Sequence, residues 1–168
     1  IRKISGTERC YPTKSIIKVL VAFRNIKMIN LPIFIKLQSQ CCLVVGGGTV
    51  ATRKIKQLLI AEAQIFVVAP DICDELKKIN GFEKIHYIKQ NYNEEHLEEK
   101  KLVIAATNNR QLNTEIAEHA KAKGILVNVV DNTEAGNFIL PSIIDRSPIV
   151  IAVSTSGAAP VLTKLLST

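Results

Sequence analysis

The feature that most limits how this chain can fold is the stretch CCLVVGGGTVATRK at residues 41–54. An apolar run that ends in glycine is typical of a buried strand, and the residues after it have helical spacing. Gly46, Gly48 and Ala51 match G-x-G-x-x-A, in which the glycines allow a tight turn and close approach of a pyrophosphate. The stretch therefore predicts a strand, a turn and a helix whose free N–H groups bind a dinucleotide. A glycine-rich turn without a ligand is the alternative.

Further apolar runs alternate with segments of helical spacing along the chain. We expect five strands, at residues 41–46, 63–70, 84–89, 101–107 and 125–130, and helices at 49–61, 71–79 and 110–123. Because each strand is apolar throughout, the alternation predicts an α/β fold with a Rossmann-like, doubly wound parallel sheet and helices on both faces. Two later apolar runs are separated by the turn DRSP and can pair antiparallel.

Three parts can be distinguished along the chain. Residues 1–27 look unrelated to the rest, and the only methionine is Met28. We interpret residues 1–27 as a leader that is absent from the native protein or disordered, with Met28 as the true start. Residues 28–140 are predicted to form the dinucleotide-binding domain. Residues 141–168 are predicted to form a small segment of two strands and the start of a helix at 160–167, truncated at its C-terminal end.

Composition limits the classes of partner. The formal net charge is +7, but residues 1–27 hold seven of the 22 Lys and Arg residues and one of the 15 Asp and Glu residues. The nearly neutral remainder argues against a nucleic-acid-binding surface, and no apolar run reaches the length of a membrane span. The four cysteines form no CxxC pair, which favours thiols in a reducing cytoplasm. The histidines lack metal-ligand spacing, so no metal site is predicted.

Two acids follow predicted strands and are candidate site residues. In dinucleotide-binding domains the acid that binds the ribose lies about 20 residues after the glycines. Asp71, which follows Pro70, either holds the ribose hydroxyls or caps the next helix. No arginine stands there to accept a 2′-phosphate, so NAD is favoured over NADP. Asp131 follows the fifth strand, and its position fits acid–base catalysis and a solvated turn equally well.

Three sequence blocks together resemble the precorrin-2 dehydrogenase family, whose members occur alone or as the N-terminal module of siroheme synthase. The blocks are LPIFIKL with CLVVGGGTVATRK, LVIAATNN with ILVNVVD, and NFILPSIIDRSPIVIAVSTSGAAPVLTKLL. The resemblance implies NAD-dependent oxidation of precorrin-2, a tetrapyrrole with eight carboxylates, to sirohydrochlorin in a cytoplasmic homodimer formed through residues 141–168. Some members also insert ferrous iron, so a bifunctional dehydrogenase and ferrochelatase is an alternative. A non-catalytic NAD-sensing domain is a second alternative.

The resemblance also implies roles for single residues. Asp131 aligns with the family's catalytic aspartate in NVVD, where a carboxylate can serve as general base or in metal delivery. The cofactor-binding positions are Gly46, Gly47, Gly48, Thr49, Val50, Pro70, Asp71 and Thr107. Ser156 and Ala159 depart from the family's S-T/S-G-G-x-S-P pattern, in a loop expected to bind substrate carboxylates.

Overall fold

The computed structural model of the chain describes residues 30–79 and 81–154. The predictions for the leader and Met28, for the loop with Ser156 and Ala159, and for a helix at 160–167 lie outside these residues. The chain divides into two compact units, Ile1–Ile33 and Phe34–Thr168. The first unit is described at residues 30–33, which have no helix or strand. The sheet and helices described next belong to the second unit.

The central sheet contains five parallel strands. They are β1 (Cys41–Val45), β2 (Gln64–Val68), β3 (Ile85–Ile88), β4 (Leu102–Ala105) and β5 (Leu126–Val129). Their order across the sheet is β3-β2-β1-β4-β5, so the direction of winding reverses between β1 and β4. In such sheets a crevice opens at the carboxyl ends of the strands where the order reverses. The predicted Rossmann-like, doubly wound sheet is confirmed.

Helices cover both faces of this sheet. They are α1 (Thr49–Ile60), α2 (Asp74–Lys77) and α3 (Arg110–Ala122), and the turns Phe82–Lys84 and Glu94–Leu97 are 3-10 helices. Neighbouring residues of β1 point to opposite faces. Val44 belongs to the core cluster that contains Ile55 of α1, whereas Leu43 belongs to the cluster that contains Ile116 of α3. The continuous apolar strands are therefore buried on both sides, as the sequence predicts.

The helix after β2 is shorter than predicted, and its start corrects one interpretation of Asp71. Helix α2 begins at Asp74, and Cys73 stands at its N-cap position, where its side chain forms no capping hydrogen bond to the helix. Asp71 lies before that cap, where its carboxylate accepts a hydrogen bond from the backbone N–H of Ile72 at 2.9 Å. The prediction that Asp71 caps this helix is therefore wrong.

The segment after β5 forms a separate two-stranded sheet. Strands β6 (Ser142–Arg146) and β7 (Ile149–Val153) pair antiparallel, which confirms the predicted pairing. Large apolar side chains on this hairpin are exposed, with Ile149 at 61% and Ile151 at 48% of their full accessibility. Within residues 30–79 and 81–154, no helix is long and apolar enough to cross a membrane.

Candidate functional site

The glycine turn after β1 passes between the ends of two neighbouring strands. Gly46 has a φ of +122°, and a Cβ there would collide with the carbonyl oxygen of Ala106, just after β4. A Cβ at Gly47 would collide with the carbonyl oxygen of Asp71, which follows β2. Both positions therefore require glycine, the first for backbone conformation as well as space. The predicted tight turn at Gly46 is present, and the close packing at Gly47 is a constraint that the motif did not reveal.

The start of helix α1 provides an anion-binding geometry. Gly48 stands at the N-cap position, where no side chain caps the helix, and the first turn contains no acidic residue. A Cβ on Gly48 would meet no protein atom within 4 Å, so the space beside it is open. The first backbone N–H groups of a helix have no partner within the helix, and its dipole favours negative charge. A pyrophosphate fits this open helix end.

A cleft of about 650 Å³ lies at the carboxyl ends of β1, β2 and β4. Its volume falls within the roughly 300–1,000 Å³ that is usual for cofactor and small-molecule sites. The structure brings every predicted cofactor-binding residue to this one cleft, whose lining includes Gly46, Gly47, Gly48, Thr49, Val50, Pro70, Asp71 and Thr107.

The charge of this cleft bears on which dinucleotide it accepts. No Lys or Arg stands among the described residues that line it, and Asp71 is the one carboxylate there. The phenol of Tyr92, which also lines the cleft, contacts Nδ1 of His119 at 3.3 Å. Burial, with smaller effects of Glu94 and Glu115, raises the pKa of Tyr92 to about 12, so the phenol is neutral. A carboxylate in a described lining that has no Lys or Arg disfavours the extra phosphate of NADP.

A set of hydrogen bonds at the junction of β4 and α3 holds Thr107 in place. The Thr107 hydroxyl donates to Oδ1 of Asn113 at 2.7 Å, and Nδ2 of Asn113 donates to the Thr107 carbonyl at 3.0 Å. Asn109 caps α3 by accepting hydrogen bonds from the N–H groups of Gln111 and Leu112. Asn113 is 5% exposed. Sequence reasoning missed Asn113. It stands three residues before Ile116 on the inward face of α3, and a buried amide there predicts a hydrogen-bond partner because buried polar groups are rarely left unpaired.

Asp131 lies outside the large cleft but lines two smaller cavities that adjoin it. One, of about 320 Å³, shares Thr107 with the cleft, and the other, of about 380 Å³, shares Val50 with it. Asp131 is exposed and has a φ of +63°, an uncommon conformation for a residue other than glycine. Such backbone conformations concentrate at functional sites. The carboxylate forms no hydrogen bond or ion pair with the part of the chain that the structure describes.

Basic side chains line the same two cavities. Arg110 borders the smaller one, and Arg53 and Lys54 border the larger one. The three ion pairs between described residues use the cations Lys56, Lys77 and Lys123. Arg53, Lys54 and Arg110 therefore take part in no ion pair with a described residue. The surroundings of Asp131 therefore combine a free carboxylate with cations that can attract an anionic ligand.

Comparison with known proteins shows that the chain is similar to dinucleotide-binding proteins. The model of the family NAD_binding_7, described as "Putative NAD(P)-binding", matches residues 33–142. A solved structure titled "SirC, precorrin-2 dehydrogenase" superposes with a TM-score of 0.70 at 33% identity, covering 82% of this chain and 67% of that one.

Curated siroheme synthases are also similar to the chain. The protein from Psychromonas ingrahamii is 51% identical over 136 residues, which are 81% of this chain and 29% of the relative. The protein from Nitrosomonas europaea is 45% identical over 137 residues, again 81% of this chain and 29% of the relative. The chain thus spans less than a third of the length of these synthases.

Proposed function

The chain belongs to the NAD(P)-binding family of the precorrin-2 dehydrogenases, and we propose that it oxidises precorrin-2 to sirohydrochlorin with NAD in siroheme biosynthesis. The observation that carries this proposal is the position of Asp131. It lines two cavities that each share a residue with the cleft of the glycine turn. An acid–base group and a dinucleotide site thereby adjoin at the carboxyl edge of one sheet.

The cleft has the groups that a dinucleotide requires. The open N-terminus of α1, at Gly48, Thr49 and Val50, would hold the pyrophosphate. Pro70 and Asp71 would hold the ribose, and the Asp71 carboxylate can accept hydrogen bonds from its hydroxyls. Thr107 would stand beside the reacting end, where Asn113 fixes its orientation. Bound NAD supplies the acceptor for a hydride.

Asp131 is proposed as the general base. Oxidation of precorrin-2 to sirohydrochlorin removes one hydride and one proton. The exposed Asp131 carboxylate, which has no partner among the described side chains, is available to take the proton.

The test is the variant Asp131→Asn. Asparagine tolerates a positive φ better than alanine does, so this change removes the charge without forcing the backbone to move. We expect kcat for anaerobic oxidation of precorrin-2, followed by absorbance, to fall by roughly 10²–10⁴-fold. NAD affinity, measured by calorimetry, should not change. The control is Glu134→Gln, which changes a nearby exposed acid outside the three cavities. Unchanged turnover in Asp131→Asn would contradict the assigned role.

A second activity, insertion of ferrous iron into sirohydrochlorin, is favoured by one observation. Asp131 is the one carboxylate among the residues that line the two smaller cavities. No group of three or more His, Cys, Asp or Glu side chains suited to a metal occurs among the described residues, so a chelatase would use Asp131 itself. Anaerobic incubation of sirohydrochlorin with ferrous iron, without NAD, tests this activity. No siroheme absorbance above the uncatalysed rate would reject it.

We further propose that the protein is a cytoplasmic homodimer whose subunits meet through residues 141–168. The exposed apolar side chains of the hairpin support an interface, because contiguous apolar surface of this kind marks contact sites. Two copies of one hairpin can form a self-complementary contact about a two-fold axis.

The free thiols of Cys41, Cys42 and Cys73 agree with a reducing compartment such as the cytoplasm. Cell fractionation tests the location.

A further inference from the structure

The cavity of about 380 Å³ beside Asp131 has a basic wall formed by one face of α1. Arg53, Lys54 and Gln57 line this wall, and they do not line the dinucleotide cleft. Val50, one turn earlier on the same helix, lines both spaces. The basic wall therefore faces a second compartment, separate from the place where the pyrophosphate would bind.

The two cations of this wall are unpaired within the described part of the chain. Neither Arg53 nor Lys54 takes part in an ion pair between described residues. Burial, and then repulsion by Arg53, lowers the pKa of Lys54 below its ordinary value. Lys54 is partly buried beside the exposed Arg53, and a bound anion would offset both the burial of the Lys54 ammonium and its repulsion by Arg53.

A third side chain of the wall has an unfilled hydrogen-bonding position. The amide oxygen of Gln57 is buried and has no hydrogen-bond partner in the part of the chain that the structure describes. Buried amide groups are nearly always paired. Gln57 lines the same cavity as the two cations, and an amide NH₂ group donates hydrogen bonds to acceptor oxygens such as those of a carboxylate.

We propose that Arg53 and Lys54, with Gln57 beside them, bind carboxylates of the tetrapyrrole substrate and so place the macrocycle against Asp131. The inference rests on the proposed function, because the ligand with many carboxylates is the precorrin-2 assigned there. The paired oxygens of a carboxylate match the fork of an arginine, and a neighbouring ammonium adds charge. The residues are substrate-binding groups and take no part in proton transfer.

The test measures binding of sirohydrochlorin, the product, to the full chain by anaerobic absorbance titration. In the double variant that combines Arg53→Gln and Lys54→Gln, we expect the Kd for sirohydrochlorin to rise roughly tenfold or more, because charge-assisted hydrogen bonds are lost. Raising the salt concentration should weaken binding to the native chain and have less effect on the double variant. The charge-preserving variant Lys54→Arg should restore most of the affinity lost in Lys54→Gln.

Two controls separate the possible outcomes. NAD affinity should stay unchanged in the double variant, which also shows that the variant is folded. Lys56→Gln removes a cation from the same helix, outside this cavity and paired with Glu75, and should leave the Kd for sirohydrochlorin unchanged. Equal sirohydrochlorin affinity in the native chain and the double variant would overturn the inference. A native chain that neither binds sirohydrochlorin nor oxidises precorrin-2 would overturn the proposed function, and the inference with it.

Discussion

At the scale of single residues, Gly47 and Gly48 have different physical requirements although they are neighbours. A methyl group at Gly47 would overlap the backbone at Asp71, whereas one at Gly48 would enter open space beside the helix end. We expect Gly47→Ala to lower the midpoint of thermal unfolding, since overpacking costs roughly 1–3 kcal/mol. Gly48→Ala should leave that midpoint unchanged and weaken NAD binding in calorimetry. Equal unfolding midpoints for the two variants would contradict this division.

Asp71 is proposed to favour NAD over NADP, which is again a question about a single residue. It is the one carboxylate in a cleft whose described lining has no Lys or Arg. We expect Asp71→Asn to reduce the ratio of kcat/KM for NAD to that for NADP by roughly fivefold, because repulsion of a phosphate at partly exposed sites is worth about 1 kcal/mol. The control Asp74→Asn removes an acid that pairs with Lys77 outside the cleft and should leave the ratio unchanged. A native chain that prefers NADP would contradict the role of Asp71.

At the scale of elements, the junction of β4 and α3 depends on the buried amide of Asn113. Asn113→Leu would leave the N–H and C=O groups of Thr107 without their partner. We expect the free energy of unfolding to fall by about 2 kcal/mol, and NAD affinity to fall because Thr107 is released. The control is Asn93→Ala, which removes the cap of the short 3-10 helix Glu94–Leu97. It should destabilise the protein by about 1 kcal/mol without changing NAD affinity.

At the scale of the whole molecule, the hairpin of β6 and β7 is proposed to join two copies of the chain. Ile151 lies opposite Ile144 in the hairpin and is 48% exposed. We expect Ile151→Glu to convert a dimer to a monomer in light scattering, because a charge buried in an apolar interface is costly. Ile60→Glu, at a 78% exposed isoleucine of α1, should remain dimeric. A monomeric native chain at working concentrations would contradict the proposed interface.

The sequence alone predicted the parallel sheet, the glycine turn and the antiparallel hairpin, because each depends on local information. Apolar periodicity specifies a buried strand or helix face, and a glycine turn specifies a backbone that approaches another backbone or a phosphate. Thr49 and Val50 were predicted as cofactor-binding residues from the family resemblance and not from these local patterns, and both line the cleft. The interpretation of Asp71 as a helix cap was wrong, because the first residue of a short helix is weakly specified by sequence.

Only the tertiary structure decided which distant residues meet. The strand order β3-β2-β1-β4-β5 brings the ends of β1, β2 and β4 to one cleft. The same order brings Asp131 to a cavity whose other wall carries Arg53 and Lys54, more than seventy residues earlier in the chain. Hydrophobic patterning records whether a residue is buried but not what it is buried against. The partners of Asn113 and the basic wall beside Asp131 therefore follow from folding in three dimensions.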